Sequence, residues 1–152
     1  MMRKTVLIFS GIFLIAALLA ATAFAAGTAE EAKALVDKAV AFYKANGKDK
    51  SIAAFNDPKG EFVKGDLYIF MMDEACNTLA HGANAKLVGK NVAELKDADG
   101  HLFMQAIRET AKKGGGWVDY KWTNPETKKI QAKSSYVQPL EDGLFVACGI
   151  YK

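Results

Sequence analysis

The residues best placed to do chemistry flank one turn. Tyr120 and Trp122 precede Asn124-Pro125, and Gln131, Lys133 and Tyr136 follow it. Proline fixes its own φ and pushes the preceding residue to extended geometry, so Asn124-Pro125 marks a chain reversal. Residues 117–122 alternate as a half-buried strand does, and residues 130–137 alternate back. A symmetric hairpin pairs Tyr120 with Lys133 and puts Trp122 and Gln131 on the same face. A slip of one residue would move Lys133 to the other face, so the expectation rests on register. Two rings, a phenol and one cation lining a cavity suit a small anion. The ammonium would pair with a carboxylate while the phenols of Tyr68, Tyr120 or Tyr136 donate further hydrogen bonds. Phe70 joins Tyr120 and Trp122 as walls, since small-molecule pockets are mainly apolar with few polar groups. His81, at the end of a short strand, adds a donor. Against this stands the ordinary fate of such residues, in which lysines are exposed and strand aromatics pack the core.

Other chemistries lack their parts. His81 and His101 are far apart with no third ligand nearby, so no zinc site is expected. Asp97-Ala98-Asp99-Gly100 lacks the spacing of an EF-hand loop, and capping of the following helix by Asp97 or Asp99 explains it better. Gly-x-Ser-x-Gly is absent, and Gly114-Gly115-Gly116 precedes a strand rather than a helix N-terminus, so neither a nucleophile elbow nor a phosphate loop is present. No cofactor is implied and no enzyme is expected. Cys76 and Cys148 form no Cys-x-x-Cys motif; two unpaired small residues is the favoured reading, with a disulfide as the alternative.

The chain is 152 residues long, enough for one domain. It opens with a short basic start and continues with a charge-free apolar run ending in Ala23-Phe24-Ala25, a small-x-small cleavage pattern. Residues 1–25 therefore read as a secretory signal peptide, with an uncleaved inner-membrane anchor as the alternative. The rest, residues 26–152, is one exported, periplasmic domain of about 126 residues, large enough for a real core. Setting aside Arg3 and Lys4 leaves 18 basic and 17 acidic residues, which is no signature for nucleic acid.

The elements that must position the site follow in order. Thr28-Ala29-Glu30-Glu31 is a capping box, and Ala32, Leu35, Val36, Ala39, Val40 and Tyr43 make the apolar stripe of a long helix that Gly47 ends. Residues 51–55 read as a second short helical piece. Residues 67–72 form one continuous apolar strand, 73–77 a turn, 78–81 a partner strand, 82–90 a loop and 92–95 a single helical turn. A helix over 101–112 buries Phe103, Met104, Ile107 and Ala111. The hairpin and a last strand over 144–151 complete an α+β domain, an antiparallel sheet with helices packed on it.

A family likeness is carried by Gly65-Asp66-Leu67-Tyr68-Ile69-Phe70, Leu79-Ala80-His81, Val88-Gly89-Lys90-Asn91, Asp97-Ala98-Asp99-Gly100, residues 117–125, Lys133-Ser134-Ser135-Tyr136-Val137 and Gly149-Ile150-Tyr151, in this order. The chain closely resembles the single Cache domain, type 2, of bacterial extracytoplasmic sensors used in chemotaxis and signal transduction. The resemblance implies a PAS-like five-stranded antiparallel sheet behind a long N-terminal helix, with a pocket for small organic molecules, often short carboxylates, on one sheet face. It implies an exported sensor domain binding a short organic carboxylate at Lys133, Tyr120, Trp122, Tyr136, Tyr68, Phe70 and His81. Without an output domain, the chain is expected to hand ligand occupancy to a membrane receptor or kinase partner. A homodimer through the N-terminal helix, with Tyr43 or Val36 in its interface, is a further expectation. The alternatives are a structural or interaction subunit of a periplasmic complex, or a small exported enzyme. The turn Asp73-Glu74-Ala75-Cys76-Asn77 departs from the family in lacking a glycine.

Overall fold

A computed structural model describes residues 25–152; the segment read as a signal peptide or anchor lies outside the described residues, apart from Ala25. Helix α1 spans Ala29–Phe55, and its start is the predicted capping box, with Thr28 Oγ1 accepting from Glu31 N and Glu31 Oε2 accepting from Thr28 N. Thr28→Ala should lower the unfolding free energy by about 1 kcal/mol in a urea titration, because it orphans a first-turn N–H. Gly47 is non-helical at φ 79, ψ 179, so the span is two helical pieces meeting at a kink, as the glycine and the short second piece at 51–55 lead one to expect.

Seven strands follow: β1 (Val63–Lys64), β2 (Leu67–Tyr68), β3 (Phe70–Asp73), β4 (Thr78–His81), β5 (Gly116–Thr123), β6 (Ile130–Pro139) and β7 (Leu144–Tyr151). β1 and β2 make a separate two-stranded ribbon, and the other five form one antiparallel sheet in the order β4-β3-β7-β6-β5. The run expected as one strand from Leu67 to Met72 is broken at Ile69, where the chain leaves the ribbon for the sheet; Ile69 N donates to Phe62 O and its carbonyl accepts from Gly82 N. Helix α2 covers Phe103–Lys112 and buries the four expected residues. Asp97 and Asp99 do not cap it. The N-cap is Leu102 with no side-chain bond; Asp97 instead takes the N–H groups of Asp99 and His101 and, across to β5, of Lys121. The helical turn expected at 92–95 is a plain turn, and a 3-10 turn stands at Ala85–Leu87 where a loop was expected. The glycine missing from the β3–β4 turn is replaced by Cys76 in the left-handed region, φ 62.

The sheet separates two cores. On one face α1 packs Val36, Ala39 and Phe55 against Ile69, Val146 and Cys148. On the other, α2 and residues 82–102 cover Phe70, Tyr120, Ala147 and Tyr151. Val36 and Tyr43 belong to the buried stripe against the chain's own sheet, which removes both from any helix–helix interface. Cys76 and Cys148 are free thiols in different cores.

Candidate functional site

Register decides the site. β5 and β6 pair with Tyr120 opposite Lys133 and Trp122 opposite Gln131, the expected symmetric arrangement. β7 lies on the other side of β6, with Lys133 opposite Tyr151 and Ser135 opposite Gly149. Side chains alternate across a sheet, so Tyr120, Trp122, Lys133, Ser135, Gly149 and Tyr151 share the α2 face. Tyr136 falls on the opposite face. It packs against Trp117 with ring centroids 5.2 Å apart, takes a hydrogen bond from Gln138 Nε2 and lies under Lys33 on α1. The structure therefore separates Tyr136 from the other predicted site residues, for the parity reason that one residue in a strand reverses the face.

Lys133 is 1% exposed, which is rare for a lysine. Its Nζ donates to Tyr68 Oη at 2.6 Å and to Tyr151 Oη at 3.3 Å. The rings of Tyr68, Tyr151 and Phe70 surround it, with centroids 4.1, 4.7 and 5.9 Å away. The proton order in this cluster follows from counting donors. Tyr151 Oη donates its single hydrogen to Thr123 O at 2.9 Å, so Tyr68 Oη, 3.1 Å from it, must be the donor of that pair. Among the described residues Lys133 keeps one N–H without a protein acceptor and bonds to no carboxylate. Burial without a counter-ion pulls the ammonium down to about 7. The same burial raises the phenols of Tyr68, Tyr120 and Tyr151. Tyr120 Oη and Ser135 Oγ satisfy each other at 2.8 Å.

His81 is 5% exposed, its ring tilted over Tyr68 at 4.9 Å and stacked on Phe70 at 6.1 Å. Its Nδ1 accepts the backbone N–H groups of Ala83 and Asn84, at 3.3 and 3.0 Å. That locks the proton on Nε2 and keeps the ring neutral; burial first, and the nearby Lys133 second, push it down to about 3. His81 is therefore a permanent neutral donor, which its position in the sequence did not reveal.

A pocket opens beside these groups. Tyr68, Phe70, His81, Tyr120 and Trp122 form one wall, and Phe103 from α2 stacks on Tyr120 at 4.5 Å and 10°. Leu87, Val92 and Leu95 of the segment between β4 and α2 close it. Its cavity volume is only about 20 Å³. Lys133 does not itself line this space; Tyr68 and Phe70 stand between. Sequence reasoning missed Tyr151, Phe103 and Gly149. A Cβ at Gly149 would overlap Lys133 Cε and Ser135 Oγ, so the glycine is what lets the lysine lie across β7. The alternation Gly149-x-Tyr151 in the last strand was the available signal for two of them. Asp97, Asp99 and His101 bring ligand atoms within 4.8 Å of one another, but Asp97 is committed to three backbone N–H groups and Asp99 to Lys121 Nζ at 2.9 Å.

A five-stranded antiparallel sheet with a long helix on one face and a small aromatic pocket on the other is a PAS-like α+β architecture. Residues 8–152 match the family Single Cache domain 2, and the chain belongs to that family. It is 36% identical over 87 residues to the sensor histidine kinase MctS of Rhizobium johnstonii, covering 57% of this chain and 19% of the kinase. The chain thus spans about a fifth of the length of that relative. Among solved structures, a methyl-accepting chemotaxis protein of Vibrio parahaemolyticus superposes with a TM-score of 0.69 at 26% identity, over 80% of this chain and 86% of the other. A Cache chemosensory domain solved for the structural basis of its carboxylic acid recognition has a TM-score of 0.61 at 22% identity over 80% and 86% of the two chains, a likeness of fold. Among the described residues, no helix is long and apolar enough to cross a membrane.

Proposed function

We propose that this domain is a periplasmic receptor for a short organic carboxylate, held at Lys133, and that it binds its ligand without transforming it. The observation that carries the reading is Lys133 itself, a fully buried amine set among the phenols of Tyr68 and Tyr151 and the ring of Phe70, with no carboxylate in contact among the described residues. An unpaired buried cation is costly, and a carboxylate in contact with it removes that cost while gaining charge-assisted hydrogen bonds. Tyr68, between Lys133 and the pocket, is the residue that must turn aside or bridge. His81 Nε2–H supplies a second donor, and Phe70, Tyr120 and Trp122 form the apolar wall. Entry requires the segment carrying Leu87, Val92 and Leu95 to move, because the ligand-free space is too small for any organic acid. The occupied domain signals through chemoreceptor or kinase modules, as the relatives' names suggest. Self-association along α1, if it serves signalling, uses the exposed flank of the helix rather than Val36 or Tyr43.

The test is thermal unfolding of the protein against a panel of short carboxylates, amino acids and neutral amides. A ligand at a hundred times its dissociation constant stabilises by about 2.7 kcal/mol, a shift of several degrees. A shift confined to carboxylates supports the reading; a response to neutral amides alone, or to none of the panel, overturns it.

A further inference from the structure

We propose that the site takes up a proton as it binds a carboxylate, so that the domain reports ligand and acidity together and loses affinity as its surroundings turn alkaline. The inference rests on the carboxylate reading above, and the geometry around Lys133 carries it further. The groups that face the ammonium come from every neighbouring strand. β2 contributes Tyr68, with Asp66 just before it; β3 contributes Phe70, β4 His81, β5 Tyr120, and β7 Tyr151 and, on its far face, Cys148. The pocket side of α2 presents Phe103 and Met104, which do not titrate. Asp66 is the one carboxylate among these groups, and its Oδ1 is engaged by Gly27 N at 2.9 Å rather than by Lys133.

None of the close neighbours can compensate the charge by titrating near neutrality. Burial lifts the three phenols far above it and raises Cys148 to about 12. His81 is locked neutral by two backbone donors. The ligand-free box therefore holds together without the lysine's extra proton, because a bare amine keeps two N–H groups and can still donate to Tyr68 and Tyr151. An incoming carboxylate needs the proton to be there. Burial brings the ligand-free ammonium to about 7, whereas an anion in contact favours the charged form and restores the value upward.

The sign follows by linkage. Carboxylate affinity tracks the charged fraction of Lys133, so it levels off just below neutrality, down to where the ligand's own carboxylate is protonated, and falls about tenfold per pH unit above neutrality. The ligand-free fold behaves in the opposite sense. Its lysine value is lowered, so the unfolded chain binds the proton more tightly between about 7 and 10.5, and stability rises with pH across that window.

Acetate, the smallest carboxylate that still carries a methyl group, is the probe, titrated calorimetrically into the full chain at pH 6.5 and 8.5 in buffers of low and high ionisation heat. The expected result is roughly 20- to 30-fold weaker binding at pH 8.5 and an uptake near one proton per acetate there. In parallel, the ligand-free Lys133 side chain is titrated by nuclear magnetic resonance, with Lys133→Met assigning the signal. A midpoint near neutrality is expected. Acetate binding that is independent of pH and buffer, or a Lys133 midpoint near 10.5, overturns the proton linkage and leaves the carboxylate reading standing. A neutral midpoint with no acetate binding at either pH overturns both. Lys133→Arg provides a further check, since guanidinium keeps its charge and whatever acetate binding survives should no longer vary with pH.

Discussion

Lys133→Met abolishes the response to carboxylates while making the ligand-free domain more stable. Most site substitutions weaken both properties, so opposite signs are diagnostic. Binding falls because truncating one partner of a desolvated charge pair costs about 2–5 kcal/mol, between thirtyfold and several-thousandfold in affinity. The ligand-free fold gains because methionine fills much of the same volume with no charge to desolvate, among rings that suit a thioether. Tyr68 keeps a partner, since it still donates to Tyr151, which still donates to Thr123 O. Each unit by which burial lowers the lysine corresponds to about 1.4 kcal/mol, so a rise of several degrees at pH 7 is the expected reading in a thermal scan. A variant less stable than the parent that retains its carboxylate shift would mean that Lys133 is structural and that the ligand sits elsewhere.

Gly149→Ala strikes the same site from beneath. Alanine is a small addition and Gly149 has no special φ, so on a free strand the change would be nearly neutral. Here the new methyl lands on Lys133 Cε and on Ser135 Oγ, which is bonded to Tyr120. Overpacking of this kind costs about 1–3 kcal/mol, and the relief available is to push the ammonium out of its box of phenols. The expected outcome is a clear loss of stability together with loss of the carboxylate shift. Adding Lys133→Ala to Gly149→Ala should return most of that stability, a coupling visible in a double-mutant cycle. Simple additivity of the two changes would mean that Gly149 and Lys133 do not press on each other.

Several parts of this architecture were legible in the residues. The Thr28–Glu31 capping box, the buried stripe of α1 and the apolar face of α2 are local patterns set by backbone hydrogen bonding and helical period, so no distant contact was needed to read them. The hairpin register was legible because one Asn-Pro turn between two alternating runs leaves few pairings. Local reading failed where a distant partner took over. Asp97 looks like a helix cap but reaches across to Lys121 N on β5, and Leu67–Met72 looks like one strand but must cross from the ribbon to the sheet at Ile69. Tyr136 parts from the others for a simpler reason, since its place one residue from Ser135 puts it on the α1 face.

The sequence alone determined the family, the five-stranded antiparallel plan and the pairing of Tyr120 with Lys133, because these follow from short-range periodicity and an ordered set of local motifs. Only the tertiary structure decided that Lys133 is buried without a counter-ion, that Tyr68 and Tyr151 meet it from other strands, and that Gly149 makes room for it. It also decided that His81 is held neutral by the chain just beyond it. These are properties of desolvation and three-dimensional convergence. They depend on which side chains exclude water from one point, a quantity that has no period along a chain.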